Sequence, residues 1–305
     1  MRVFVTGATG VIGIRVVRAL VARGDQVTAV GRSDEKRAML RGLGAKAVGV
    51  DLYDRAAVQR AVAGNDAVIN LATAVPPSAA RMFLPGAWRE MDRVRREVSA
   101  NVVHAALAGD TVKQVIQESF APIYADAGDA WIDEGSPVRP ARYNRSVLDA
   151  EAQAARFTAA GRTGVVLRFG AFYGPGDAIT QQMIATIRRG WSPFLGRPEG
   201  YMSFIAHDDA AGAVVAALDA PAGVYNVVDD PLRRRELADG IARLLGVQPP
   251  RFMPAWMRHL GGSVGEMLAR SLRISNRRFR DASRWRPRYP TMLDGLRAIV
   301  EGERT

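Results

Sequence analysis

Residues 6–13 read TGATGVIG, from Thr6 to Gly13, and join an apolar run at 3–6 to a stretch at 11–23 whose Val, Ile and Leu recur at helical spacing. Gly7, Gly10 and Gly13 suit a strand–turn–helix junction. They allow a tight turn, close approach of backbone amides to a pyrophosphate, and close packing of helix on strand. The helix start behind them offers unpaired N–H groups and a partial positive charge to a phosphate. With Thr6, Thr9, Val11 and Ile12 they form the expected phosphate loop of a dinucleotide site, because the strand–turn–helix context separates this triplet from an ordinary glycine-rich turn.

Downstream, strand-like segments at 26–31, 47–50, 67–72, 112–117 and 165–169 alternate with helical ones at 34–42, 55–63, 88–108 and 143–160. Parallel strands need crossovers, and helices supply them, so the expected fold is α/β: a Rossmann-type doubly wound parallel sheet over residues 1–170. Such sheets bind ligands at the carboxyl ends of their strands. Glycine and proline break up 171–205; a helix at 210–218 and a strand at 223–228 then return to the sheet, within 206–228. Segments 171–205 and 229–305 form the expected small C-terminal substrate-binding lobe.

The end of the second strand selects the dinucleotide. NAD sites place an acid there to accept from the ribose hydroxyl. Here the chain reads Val30-Gly31-Arg32-Ser33. Gly31 leaves room, Arg32 can clamp a 2′-phosphate and Ser33 can donate to it, which favours NADP(H). Against this, Arg32 is one of many arginines: 39 of the 42 basic residues are Arg. Asp51 and Leu52, after the third strand, flank the expected adenine position. Asn70, Leu71 and Ala72, followed by Thr73, lie along the pyrophosphate and ribose.

The 305 residues contain no cysteine, which excludes disulfides, thiolate zinc sites, iron–sulfur clusters and a thiol nucleophile. His104, His207 and His259 stand far apart, so no metal is expected. No signal segment precedes residue 2 and no apolar run reaches membrane-spanning length, so a cytoplasmic protein without a membrane partner is expected. The formal net charge is +11, and from residue 231 onward 16 Arg face 7 acidic residues. The basic excess, including Arg233, Arg234 and Arg235, reads either as a solvated face or as attraction for an anionic substrate. Only Phe279 and Trp285 interleave the arginines of 270–288, so nucleic acid is not an expected partner.

TGATGVIG, Asp51-Leu52, NLA at 70–72, LRFGAFYGPG at 167–176, SFIAHDDAA at 203–211 and GVYNVVDD at 223–230 together resemble the extended short-chain dehydrogenase/reductase superfamily, the group of NAD(P)-dependent epimerases and dehydratases. WRPRYPT at 285–291 resembles its C-terminal segment. The resemblance implies a cofactor on the sheet, with Phe169 beside it, and substrate contacts from Phe120, Arg168, Tyr173 and Arg197. It also implies a homodimer through the helices at 88–108 and 143–160.

The family's catalytic motif is YxxxK with a proline three residues upstream. Residues 140–147 read PARYNRSV, so Tyr143 resembles the catalytic tyrosine, Glu151 follows, and Val147 stands where the lysine belongs. In the family that lysine hydrogen-bonds the nicotinamide ribose and lowers the tyrosine pKa by its charge; valine does neither. Arg145, two residues along, is expected to point away. The family's catalytic Ser or Thr also departs from pattern: in ESFAPIY at 118–124, Phe120 occupies its position, leaving Ser119 or Tyr124 to supply a hydroxyl. Each is equally readable as a structural residue.

Asp208 and Asp209 are expected to cap a helix rather than to move protons with His207. Asp133 and Glu134 read as solvated loop. Phe252, Trp256, Met257 and Met267 read as lobe core or as the wall of a hydrophobic substrate pocket. Three functions follow. The first is an NADP-dependent oxidoreductase, carbonyl reductase- or epimerase-like, acting on an anionic or hydrophobic small molecule through Tyr143. The second is a non-redox isomerase, cyclase or lyase on the same scaffold. The third is an NADP(H)-binding sensor without catalysis.

Overall fold

Strand β1 (Arg2–Thr6) is covered from Val3 to Thr6, as a central strand flanked by helices on both faces must be. It lies between β2 (Gln26–Val30) and β4 (Ala67–Asn70), with β3 (Lys46–Val48) beyond β2. On the other side β5 (Gln114–Phe120) pairs with β4, β7 (Thr163–Phe169) with β5, and β11 (Gly223–Val227) with β7. All six pairings are parallel. The strand order reverses at β1, so the crevice outside its carboxyl end is where a ligand belongs. This computed structural model describes residues 1–76, 84, 86–254 and 262–302.

Helices cover both faces. Helix α1 (Val11–Ala22) buries Val16, Val17 and Leu20, and α2 (Asp34–Gly42) buries Leu40, in one core. The opposite core takes Val58 and Val62 of α3 (Arg55–Val62) and the apolar stripe of α4, residues 89–108. Phe157 of α5 (Val147–Ala159) packs there too. Helix α4 is interrupted by a π-helical turn, Val94–Val98, between Arg89–Arg93 and Ser99–Ala108.

Of the boundaries that differ from expectation, two bear on chemistry. Strand β5 continues to Phe120, because Ser119 and Phe120 still pair with Arg168 and Phe169 of β7. Helix α5 starts at Val147, and Tyr143 lies before it in a 3-10 turn, Arg142–Asn144. The Ser146 hydroxyl is spent on Asp92 of α4 (2.6 Å), which anchors the segment ahead of the helix.

The lobe is built around three short two-stranded ladders. Strand β8 (Ala171–Tyr173) pairs with β10 (Phe204–Ala206), β9 (Tyr201–Met202) with β12 (Leu232–Arg233), and β6 (Trp131–Ile132) with β13 (Arg273–Ile274). Its core joins Tyr173, Phe194 and Phe204 to Met183 and Ile187 of α6 (Ala178–Arg188), to Leu237 and Ile241 of α8 (Arg234–Leu245) and to Met292 and Leu296. Phe252 packs on this core, whereas Trp256 and Met257 lie outside the described residues. Among the described residues no helix is long and apolar enough to cross a membrane.

The solvated-face reading of the basic segment from residue 231 holds for most of its described arginines, Arg235, Arg277 and Arg278 among them, but fails at Arg233 and Arg234. Arg234 is 1% exposed and donates to the carbonyls of Leu268 and Arg270 (3.1 and 2.6 Å), while Arg233 donates to the Glu199 carbonyl (2.6 Å). These guanidiniums tie lobe segments together. The capping expectation for 207–209 also fails. Helix α7 (His207–Ala216) has Ala206 at its cap and no side-chain cap bond. Asp209 instead accepts from the backbone N–H groups of Arg288 and Tyr289, and Asp208 pairs with Arg15 of α1. Glu134 is likewise more than solvated loop, because it accepts from the Asn226 N–H at 2.8 Å.

Candidate active site

The glycine loop forms a groove that side chains would fill. Gly7 has φ +64°, and a Cβ there would stand 2.2 Å from the Leu71 carbonyl oxygen; one on Gly13 would stand 2.1 Å from the Gly7 carbonyl oxygen. Gly10 caps α1 with no side chain over the first turn. That turn's N–H groups have no intrahelical acceptors, and Val11 beside them is half exposed. Thr6 is buried and donates to Asn70 (2.5 Å), whose amide donates on to Gln117 and Ser99. Thr9 and Ile12 are half-buried alongside. Unpaired amides facing a groove that only glycine permits fit a dinucleotide pyrophosphate.

At the end of β2, Gly31 is buried while Arg32 and Ser33 are exposed. Ser33 Oγ accepts from Lys36 N–H (3.2 Å) and so caps α2. A second guanidinium, missed in the sequence, joins this end. Arg37 donates to the Gly31 carbonyl (3.1 Å) and pairs with Asp34 (2.5 Å). Its guanidinium lies so close to Gly49 that a Cβ there would stand 2.9 Å from Nη1. Two glycines and an arginine one helical turn into α2 were the available signal. Asp51 accepts from Tyr53 N–H (2.9 Å), Leu52 is half-buried, Leu71 is buried, Ala72 is half-buried and Thr73 exposed.

Ser119 and Tyr124 are both wholly buried and belong to one polar chain. Ser119 donates to Glu151 (2.5 Å), which also accepts from Arg168 Nε and Nη2 (2.8 and 2.7 Å). Arg168 Nη1 donates to the Tyr124 oxygen (2.8 Å), and Tyr124 donates to Asn226 (2.8 Å). Burial works against the Arg168 charge, but the Glu151 pair outweighs it and holds the guanidinium charged. Among the described residues no hydrogen bond links this chain to Tyr143.

Tyr143 stands apart. Its ring leans on Trp88 at 4.4 Å between centroids, and its hydroxyl donates to the Met267 sulfur. Met267 thus belongs to the Tyr143 surroundings rather than to the lobe core. Burial pushes the Tyr143 phenol well above its usual 10, with Arg95 and Arg270 pulling it back. Val147 is wholly buried and Arg145 exposed, so neither puts a charge beside this hydroxyl.

Of the residues expected to touch substrate, Phe120 is half-buried at the last position of β5, and Arg197 is exposed on a lobe loop. Tyr173 is 1% exposed and packs edge-on against Phe204 in the lobe core. Phe169 ends β7, buried, with its ring 5.5 Å from that of Phe172.

Comparison with known proteins bears on this arrangement. The model of the NAD dependent epimerase/dehydratase family matches residues 3–228. A 3-diazoavenalumate denitrifying reductase from a Streptomyces species is 36% identical over 97% of this chain and 99% of its own length. A ketoreductase of Stigmatella aurantiaca, acting on 4-hydroxy-2-methyl-3-oxo-4-farnesyl-3,4-dihydroquinoline-1-oxide, is 28% identical over 89% of this chain and 82% of its own. The fold is shared with the human epimerase family protein SDR39U1, solved with NADPH, at a TM-score of 0.77, 23% identity and 99% coverage of both chains.

Proposed function

Because the chain belongs to the NAD dependent epimerase/dehydratase family, we propose that it is an NADP-dependent reductase of a small-molecule carbonyl, with Tyr143 as proton donor. The state of Tyr143 carries the direction of the reaction: burial holds its hydroxyl protonated, so at neutral pH it gives a proton far more readily than it takes one. When bound, a reduced nicotinamide dinucleotide supplies hydride. Thr6, Gly7, Thr9, Gly10, Val11, Ile12 and Gly13 would hold its pyrophosphate. Arg32, Ser33 and Arg37, around Gly31, would take a 2′-phosphate, where an acid would have repelled it. Asp51 and Leu52 would flank the adenine, and Leu71, Ala72, Thr73 and Phe169 would line the rest. The reductase names of the relatives support this reading over the isomerase and sensor alternatives.

A second reading draws on the 36% relative, named for a diazo acid. In a denitrifying reduction, hydride takes the place of departing nitrogen at carbon and leaves no alkoxide to protonate. Such chemistry makes no demand on Tyr143, whose hydroxyl rests on a sulfur. The test is turnover of NADPH and NADH with a panel of ketones and aryl diazo acids, in the native protein and in Tyr143→Phe. Carbonyl reduction should prefer NADPH and fall about 10²–10⁴-fold in the variant. Undiminished ketone reduction by Tyr143→Phe would refute the first reading. Diazo reduction that survives the substitution would establish the second.

A further inference from the structure

Where β8 and β10 end, the chain leaves a pocket of about 350 Å³ between Pro175, the start of α7 and the last helix, Met292–Gly302. That size falls within the roughly 300–1,000 Å³ of small-molecule sites. Its walls are mostly apolar, from Pro175, Ala206, Tyr289, Ala298 and Ile299. Trp88 and Met267, which meet Tyr143, take no part in its lining.

Polar groups border this pocket unspent. Tyr173 is 1% exposed, and its hydroxyl has no hydrogen-bond partner among the described residues. His207 is 3% exposed, and its Nδ1 has none either. Ala206 heads α7 without a side-chain cap, so the first-turn N–H groups beside the pocket lack intrahelical acceptors. Glycines make the arrangement possible: a Cβ on Gly295 would collide with the Tyr173 hydroxyl, and one on Gly174 with His207 Nδ1. A buried hydroxyl without a partner is costly, and native structures keep few.

The same groups select the ligand. The phenol and the N–H groups are donors and call for an acceptor. An anionic acceptor is opposed by Asp208 and Asp209 in the first turn of α7 and by Asp294 beside Gly295. A cation finds those carboxylates engaged: Asp208 by Arg15 (2.6 Å), Asp209 by the Arg288 and Tyr289 N–H groups, and Asp294 by Thr291 (2.7 Å). Burial holds His207 below its usual 6.5, so its ring adds no charge at neutral pH. We propose that this pocket is a second small-molecule site, apart from Tyr143, for a neutral and mainly apolar molecule held through an oxygen acceptor such as a ketone. Tyr173 and the start of α7 would meet that oxygen, and Pro175, Tyr289 and Ile299 the apolar body.

The chain has three histidines, so ¹⁵N-labelled rings give few signals, and His207→Gln assigns the one that matters. Acetophenone, titrated into the full-length protein without dinucleotide, should shift the His207 ring saturably, with a Kd of roughly millimolar order for so few atoms. Benzoate, its anionic counterpart, should bind at least about tenfold more weakly. Tyr173→Phe should weaken acetophenone about two- to tenfold while leaving thermal stability at or above native, because that hydroxyl bonds to nothing in the described chain. Ala298→Trp, at an exposed residue of the lining, should fill the pocket and abolish the shift. No saturable shift at His207, a shift that survives Ala298→Trp, or benzoate binding as well as acetophenone would each overturn the proposal. If the tryptophan variant does not fold, an acetophenone affinity unmoved by Tyr173→Phe overturns it instead.

Discussion

Replacing Gly13 by alanine puts a methyl carbon 2.1 Å from the Gly7 carbonyl oxygen and 2.8 Å from two Ala8 backbone atoms. Ordinary contact begins near 3.4 Å, so about 1.3 Å (3.4 − 2.1) must be found by moving the start of α1 off the loop, since backbone on both sides cannot swing aside. An amide hydrogen bond of about 2.9 Å stretched by that amount is no longer one. Bonds to charged acceptors contribute about 1.5–3 kcal/mol each, so losing two costs at least about 3 kcal/mol, or roughly 150-fold in Kd. Fluorescence titration with NADPH measures this, and thermal unfolding without dinucleotide reports separately on packing. Gly42→Ala is the control: nothing lies within 4 Å of its added carbon, and its affinity should match the native protein. A folded Gly13→Ala protein that binds NADPH within threefold of native would refute the assignment of this loop to the pyrophosphate.

Arg37→Ala should weaken NADPH by about tenfold and leave NADH unchanged, because only the former carries the 2′-phosphate; equal losses in competition titrations would remove Arg37 from the site. Arg168→Met should lower stability by about 3–5 kcal/mol in urea unfolding, because Glu151 loses its bidentate partner inside the protein; a loss below about 1 kcal/mol would contradict the network. Burial, and then the Arg15 charge, holds His207 below its usual 6.5. The unfolded chain therefore takes up a proton first: stability from this group is complete above pH 6.5 and declines as pH falls from there through the folded value. His207→Gln should flatten that decline relative to native, and the difference carries the test, because Asp229 and Glu118, raised by burial, act in the opposite sense at acid pH. Identical slopes would show that His207 does not titrate in this window.

The sheet was legible because its signals are local. Val3 to Thr6 is an apolar run closed by glycine, and Gly7 and Gly13 announce a turn that no other residue fits. Tyr143 was legible from PARYNRSV, although its place in a 3-10 turn before the helix depended on Ser146 reaching Asp92, 54 positions away in sequence. Apart from Arg37, whose partners Gly31 and Asp34 are close in sequence, what the sequence did not show is non-local. Asp209 looked like a cap because aspartates begin helices, yet its partners Arg288 and Tyr289 lie about 80 residues downstream. Arg234 looked like surface charge because arginines usually are, and only the lobe's assembled carbonyls make it interior.

The pairing of β11 with β7 sets a schedule for the nascent chain. β7 ends at Phe169 and β11 begins at Gly223, so 54 positions (223 − 169), including the first half of the lobe, must be made before the sheet's last strand exists. At the usual elongation rate of about 5–20 residues per second, the β7 edge waits roughly three to ten seconds without its neighbour. An unpaired edge of seven residues, six of them buried in the finished fold, is a template for strands from other chains, and a chain stopped before residue 223 keeps that edge permanently. Fragments ending between 170 and 222 should therefore need a chaperone to stay in solution, whereas the chain carried past Val227 closes the edge with its own sequence.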